Sequence, residues 1–262
     1  MHIIVCIKQV PKTTKVDIDK ETGVLKREGI EAKINPYDLY AIETALRIRE
    51  QHGGCVTALT MGPFQAQEIL KEAYSMGVDE CILLSDRAFA GADVLATSYA
   101  LSQAIKVLGD FDLIICGKQT TDGDTAQVGA EIAEFLDVPH GTNVSRIINI
   151  EQNMARIEMD MIDSFLIQDI YFPCLIAVEK DIHTPRLPSY KKRISTKEKE
   201  IQTITLNDLG DKNPRHYGLN GSPTQVEKIY VPDVTSERTA VEGDSEKQAD
   251  FIYEKLKALK FI

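Results

Sequence analysis

At 262 residues, with 43% hydrophobic and 27% charged side chains, the chain is long enough for one large core, or for a core with an appendage. Its formal net charge of -10 disfavours a nucleic-acid role unless basic residues are concentrated locally. No apolar run reaches the roughly 18–20 residues that cross a bilayer, and the apolar stretch of "MHIIVCIKQVPKTTK" is too short for a secretory signal, so a soluble cytoplasmic protein is expected.

Taken in chain order, the first elements alternate two periodicities. "HIIVCIKQV" (residues 2–10), "CVTALTM" (55–61), "ECILLSD" (80–86) and "DLIICG" (112–117) are short apolar runs of the kind found in strands covered on both faces. Residues 16–28, "VDIDKETGVLKRE", alternate around a Lys-Glu-Thr-Gly turn and predict a hairpin. "NPYDLYAIETALRIREQHG" offers Asn35 as N-cap, Pro36 at the first helical position, Leu39, Ile42 and Leu46 at helical spacing, and Gly53 as a stop. "PFQAQEILKEAYSMG" and "ADVLATSYALSQAIKVLG" repeat that design and end at Gly77 and Gly109. Strands and helices at this interval imply an α/β fold with parallel strands joined by right-handed crossovers.

The character changes after Pro139. Strand-like runs separated by polar turns predict antiparallel strands that extend the sheet. Beyond Lys180 hydrophobic density falls, and Pro185, Pro188, Pro214, Pro223 and Pro232 punctuate a polar tract with too little apolar surface to build its own core. The final "SEKQADFIYEKLKALKFI" regains helical spacing through Phe251, Ile252, Leu256 and Leu259, as in an arm whose helix packs on another surface, of this chain or of a partner. Cys6, Cys55, Cys81, Cys116 and Cys174 lack C-x-x-C spacing and read as buried free thiols, not as a metal site. His2, His52, His140, His183 and His216 are isolated and read as surface or turn residues, so no catalytic set is assigned.

In a parallel sheet, ligands bind beyond the carboxyl ends of the strands. The turn after Val10, "NPYD", "TMGP" and "GKQTTDGDTAQVG" all fall there. In the last of these, Gly117 permits a sharp turn, Asp122-Gly123 favours a tight one, and Asp124 or Thr125 can cap the following helix. The amides from Thr125 to Val128 can face a phosphate, Lys118 can add charge, and Gln119, Thr120, Thr121 and Gln127 can donate hydrogen bonds. A capped loop without a ligand has the same features, because Asp122 and Asp124 repel phosphate unless they turn toward the backbone. Gln119 stands where a P-loop needs Ser or Thr, and there is no G-x-G-x-x-G.

"VCIKQVP" (5–11), "NPYD" (35–38), "TMGP" (60–63), "GKQTTDGDTAQVG" (117–129) and "GSPTQV" (221–226), in this order and over nearly the whole chain, closely resemble the beta subunit of electron-transferring flavoproteins. The resemblance implies a Rossmann-like, mostly parallel sheet with added antiparallel strands and a C-terminal extended arm. It also implies a nucleotide-binding domain at 1–183 and, at 184–262, a recognition loop and an arm that packs on a larger alpha subunit. By resemblance the nucleotide contacts are Cys6, then Asn35, Pro36, Tyr37 and Asp38, then Met61 and Arg87. They continue along the loop from Gly117 through Lys118, Gln119, Thr120, Thr121, Asp122, Gly123, Asp124, Thr125, Ala126 and Gln127 to Val128.

Ordinary beta subunits hold AMP and electron-bifurcating ones a second FAD. "SDRAFAGAD" (85–93), "DGDTAQVG" and "GSPTQV" resemble the bifurcating type, so FAD is expected, with AMP the alternative; Val94 departs from the Thr of that type. The expected donor is then NADH, and the expected acceptors are an acyl-CoA-type dehydrogenase, through the alpha-subunit FAD, and ferredoxin or flavodoxin. "TPRLPSYKKRISTKEKEI" (184–201) resembles the family's recognition loop, with Tyr190 as an aromatic anchor and Lys191, Lys192 and Arg193 as steering charges. A stand-alone adenine-nucleotide hydrolase is disfavoured, since no Gly-rich triphosphate loop or catalytic metal cluster is present.

Overall fold

The computed structural model describes residues 1–12, 32–227 and 239–262; the hairpin expected at 16–28 lies outside the described residues. Strand β1 (His2–Cys6) runs into β2 (Gln9–Pro11), which pairs antiparallel with β3 (Ala32–Ile34). Helix α1 (Pro36–His52), β4 (Cys55–Met61), α2 (Gln67–Met76), β5 (Glu80–Leu84), α3 (Val94–Leu108), β6 (Leu113–Gly117) and α4 (Val128–Leu136) follow in the expected alternation. Three of these helices stop at the glycines the sequence marks, Gly53, Gly77 and Gly109, all at positive φ.

Alternating strand residues explain the layers. Ile3 and Val5 of β1 pack with Ala41, Ile42, Leu46, Ile69 and Leu70 of α1 and α2, while Ile4 and Cys6 pack on the other face with Leu101, Ala104, Ile132 and Ala133 of α3 and α4. Helices thus cover both faces of the sheet, and its central strands are apolar without interruption for that reason.

Past α4 come β7 (His140–Ile150), β8 (Met154–Asp160), β9 (Phe165–Tyr171), β10 (Cys174–Val178), α5 (Tyr190–Ser195), β11 (Gln202–Ile204) and α6 (Gly218–Gly221). The main sheet has the order β11-β5-β4-β1-β6-β10-β7-β8-β9. β7, β8 and β9 form the expected antiparallel extension. β10 departs from it: the strand enters between β6 and β7, parallel to both, and its five residues are all buried.

The polar tract beyond residue 180 also folds further onto the chain than its composition suggests. β11 pairs with β5, and Ile204, Leu209 and Tyr217 are almost wholly buried, Tyr217 with its ring 5.4 Å from that of Phe89. The compact unit therefore runs Met1–Glu227, past the change in composition near residue 183. Within 239–262, α7 (Ser245–Ala258) forms as the periodicity predicts, its N-terminus capped by the Asp244 carboxylate, which accepts from Lys247 N at 3.0 Å.

This topology sets the site. From β1 the chain proceeds to β4 and β5 on one side, then crosses back to β6 on the other, which makes the carboxyl ends of β1 and β6 a topological switch point.

Candidate functional site at the switch point

β1 ends at Cys6 and β6 at Gly117, with Cys6 and Cys116 in register across the pair. Beyond them the chain ends are tied by one buried side chain. Asn35 Nδ2 donates to the Gln119 carbonyl at 2.8 Å and to Asp38 Oδ1 at 3.0 Å, and its Oδ1 accepts from Thr121 N at 3.1 Å. Asn35 occupies the N-cap position of α1, but it does not cap the helix with its side chain as the sequence suggests; the side chain holds the 117–128 loop instead. Asp38 Oδ2 accepts from Lys8 N at 2.6 Å, so α1's first turn is fastened to the end of β1 as well.

Gly117 is required here by close approach. A Cβ on it would lie 2.5 Å from Asp38 Oδ1 and 2.7 Å from the Tyr37 carbonyl carbon. The Tyr37–Asp38 backbone can therefore seat against the loop exit only if this residue has no side chain.

The carboxylates in the loop are engaged locally, one by an ammonium and one by an amide. Lys8 Nζ pairs with Asp122 Oδ1 at 2.8 Å, and Gln119 Nε2 donates to Asp124 Oδ1. Burial raises the Asp122 pKa, but the Lys8 ammonium outweighs it and holds the carboxyl below its ordinary value. The repulsion that Asp122 and Asp124 would exert on a phosphate is thereby reduced. Lys118 does not supply the charge expected of it, because its ammonium pairs with Glu179 Oε1 at 2.5 Å, just past β10.

The expected turn falls at 121–123, but α4 starts at Val128 with Gln127 as N-cap, so neither Asp124 nor Thr125 caps it. Asp124 and Ala126 instead adopt left-handed backbone, φ 53° and 56°, which non-glycine residues rarely hold. Such backbone turns neighbouring amides toward a common anion, and the first-turn amides of α4 from Val128 onward lack helical acceptors. Thr120, Thr121, Thr125 and Gln127 bring side-chain donors to the same loop, and Gly123 sits at its turn.

Met61 closes β4 one strand away, and the exposed Arg87 follows β5 two strands away, at the same end of the sheet. Pro36 and Tyr37 form the first turn of α1 at the crevice. Val94 begins α3, whose cap Asp93 accepts from Ala96 N at 3.0 Å and from Thr224 N and Oγ1 at 3.0 and 2.7 Å. Ser222 Oγ in turn accepts from Asp93 N at 2.8 Å, so the "GSPTQV" segment is pinned at this end too.

Gln9 Oε1, Thr60 Oγ1 and Glu131 Oε2 are buried without a hydrogen-bond partner. They lie just past β1, at the end of β4 and in the first turn of α4, all at the carboxyl ends of the strands. Buried polar atoms are normally satisfied, so three orphans at one end of a sheet fit a polar ligand there. A left-handed loop, an unsatisfied helix N-terminus and a glycine floor fit the diphosphate of a nucleotide cofactor. The local sequence carries no mark of these three orphans, nor of the partners Lys8 and Glu179.

A second surface lies on α5. Ser189 caps it through Lys192 N at 3.4 Å, and Leu187, Tyr190 and Ile194 are 87%, 78% and 59% exposed. Lys191 and Arg193 are exposed beside them. Lys192 is not part of this outward set: its ammonium fills the space where a side chain on Gly77 would begin, at the C-terminus of α2.

A family model described as the electron transfer flavoprotein domain matches residues 22–209. The electron transfer flavoprotein subunit beta of Thermoanaerobacterium thermosaccharolyticum is 44% identical over 264 residues, covering 100% of both chains. That of Megasphaera elsdenii is 40% identical over 272 residues, again covering 100% of both. The caffeyl-CoA reductase-Etf complex subunit CarD of Acetobacterium woodii is 43% identical over 233 residues, 88% of each chain. With these relatives spanning the crevice, its loop and the α5 segment, the chain belongs to the electron transfer flavoprotein family as a beta subunit, whose partner is an alpha subunit.

Proposed function

We propose that the switch-point crevice holds FAD and that the heterodimer, in the cytoplasm, takes electrons from NADH and divides them between two acceptors. One acceptor is an acyl-CoA-type dehydrogenase, reached through the alpha-subunit FAD; the other is ferredoxin or flavodoxin. The observation that carries the reading is the 117–128 loop, held by Asn35 across the β1–β6 crevice with its carboxylates engaged and orphaned polar atoms around it. FAD, when bound, supplies two-electron acceptance and one-electron release.

The chain's own residues bind and orient. First-turn amides of α4 and the left-handed Asp124 and Ala126 hold the diphosphate, Asn35 fixes the loop, Lys8 offsets the Asp122 charge, and Cys6 and Gly117 line the floor. Met61 and Arg87 extend the site along the strand ends. The 184–262 region supplies the docking loop and the arm that packs on the alpha subunit. The name of the CarD relative, a subunit of a caffeyl-CoA reductase complex, supports a partner that acts on acyl-CoA.

The test is direct: the chain is purified with its alpha subunit, denatured, and the released nucleotides are identified. Two FAD per heterodimer is the expected result. One FAD plus AMP would overturn the assignment and leave a structural, redox-silent nucleotide in the same crevice.

A further inference from the structure

We infer that Arg186 is a positioning residue for partner docking: its guanidinium fork ties the root of α5 to α1 and so holds Leu187, Tyr190 and Ile194 as one outward apolar face. The inference rests on the reading of α5 as the docking element.

The geometry is a two-carboxylate clamp. Arg186 donates from its backbone N and from Nε to Glu43 Oε2 at 3.0 and 2.7 Å, and from a terminal nitrogen to Glu43 Oε1 at 3.2 Å. The same fork donates to Glu50 Oε1 and Oε2 at 2.6 and 3.2 Å. The Glu43 side chain is 4% exposed and is also held by Arg47 Nε at 2.8 Å, so the first carboxylate is fixed before the fork engages it.

Other anchors fasten the segment to α2 and its exit. Ser189 N donates to the Ser75 carbonyl at 2.8 Å, and Lys199 Nζ donates to the Asp79 carbonyl and lies 4.7 Å from the centre of the Tyr74 ring. Arg186 is the anchor of this segment that reaches α1; upstream of it, Asp181 Oδ1 accepts from Tyr40 Oη of the same helix at 3.2 Å. Between the anchors the three apolar residues face outward, and nothing in the clamp uses them.

A fixed root spares docking the loss of loop freedom, so removing it acts on the partner concentration required and leaves transfer inside the heterodimer alone. A lysine keeps the charge, but a single ammonium does not reproduce a fork that spans two carboxylates.

The experiment uses the purified heterodimer with a short-chain acyl-CoA dehydrogenase as the probe acceptor, and measures steady-state transfer against dehydrogenase concentration. Arg186→Gln is expected to raise KM about tenfold with kcat and nucleotide content unchanged, and to speed amide hydrogen exchange in α5 by about tenfold. Arg186→Lys is expected to resemble Arg186→Gln. Glu50→Gln, at a half-exposed carboxylate where folding is not at stake, is expected to raise KM about two- to threefold. Tyr190→Ala is run in parallel. If it raises KM while the Arg186 and Glu50 variants leave KM unchanged, the clamp inference falls and the docking reading stands. If Tyr190→Ala also leaves KM unchanged, the docking reading falls and takes the inference with it. A lowered melting temperature at unchanged KM reduces Arg186 to a fold-stabilising ion pair.

Discussion

Asp38 and Glu43 lie on the same helix, and their carboxyls are driven in opposite directions. Full burial pushes Asp38 up to about 7, against the opposing hydrogen bonds from Asn35 and Lys8 N. Burial also pushes Glu43 up, but the bonds from Arg186 and Arg47 outweigh it and hold the group at about 2. The signs separate the two in pH. For Asp38, raised from 3.8, the stabilisation is complete below that value and is lost as pH rises through about 7. For Glu43, lowered from 4.5, it is present above that value and is lost as pH falls through about 2. Urea unfolding should therefore show a loss of stability between pH 4 and 7 that Asp38→Asn removes, of order 4 kcal/mol at most by the conversion per pKa unit. An equal slope in the variant would exclude Asp38 as its source. Two glycines give a second residue-scale contrast. Gly117→Ala drives a Cβ into the Tyr37 backbone and should cost about 1–3 kcal/mol in unfolding measurements. A Cβ on Gly123 meets only Thr120 Oγ1, at 3.4 Å, so Gly123→Val should leave the melting temperature of the nucleotide-free chain unchanged yet release the nucleotide from the heterodimer. A variant that retains its full nucleotide content would remove Gly123 from the site. Gly117 was legible in the sequence for a different reason: a turn glycine suggests free φ, whereas its actual constraint is the close approach of the first turn of α1, a neighbour that only the folded chain creates.

At the scale of elements, local chemistry marks some boundaries and leaves others unmarked. Helix stops at Gly53, Gly77 and Gly109 follow from backbone chemistry within one turn, and the structure has them. The start of α4 could not be read that way, because Asp124 is drawn to Gln119 and the loop runs on to Gln127 before the helix begins. The insertion of β10 between β6 and β7 is also silent in sequence, since a short apolar run reads alike in any fully buried position. Helix α5 has the opposite character: six residues, none buried, with the composition of a solvated basic turn. Its Tyr190 is 78% exposed, and an exposed aromatic ring beside Lys191 and Arg193 suits an anchor with steering charges. Tyr190→Ala should raise the dehydrogenase concentration needed for half-maximal transfer by about tenfold, equivalent to about 1.4 kcal/mol, with nucleotide content unchanged. Raising ionic strength should slow association of the wild type, and less so in Lys191→Ala/Arg193→Ala. Unaltered concentration dependence in Tyr190→Ala would exclude it as the anchor.

For the whole molecule, the division of labour follows from where apolar surface is and is not covered. The Met1–Glu227 unit has helices on both faces of its sheet and draws even the sparse apolar residues of the polar tract, Ile204, Leu209 and Tyr217, into its core. Composition alone misses this, because three well-placed side chains are enough to fasten a tract that averages polar. Helix α7 differs: Phe251, Ile252, Leu256 and Leu259 are 39%, 58%, 37% and 56% exposed. An isolated helix of fewer than about 15 residues is marginal in water, so its 14 residues need a surface to pack on. The alpha subunit is the partner that the family supplies, and the periodicity of this arm matches a groove-seated helix read by its i, i+1, i+5 and i+8 residues. Burying a large apolar side chain contributes roughly 1.5–3 kcal/mol, and ordering the arm opposes part of that gain. Deleting residues 244–262 should therefore weaken the heterodimer by at least about tenfold in dissociation constant, which needs only about 1.4 kcal/mol of the apolar burial to survive that offset. Sedimentation of the truncated chain with its alpha subunit, across a concentration series, reads the change. The melting temperature of the truncated beta chain should stay near that of the full chain, because the Met1–Glu227 unit builds its core clusters from its own residues. A truncated chain that binds its alpha subunit with undiminished affinity would show that the helix has another role than holding the two subunits together.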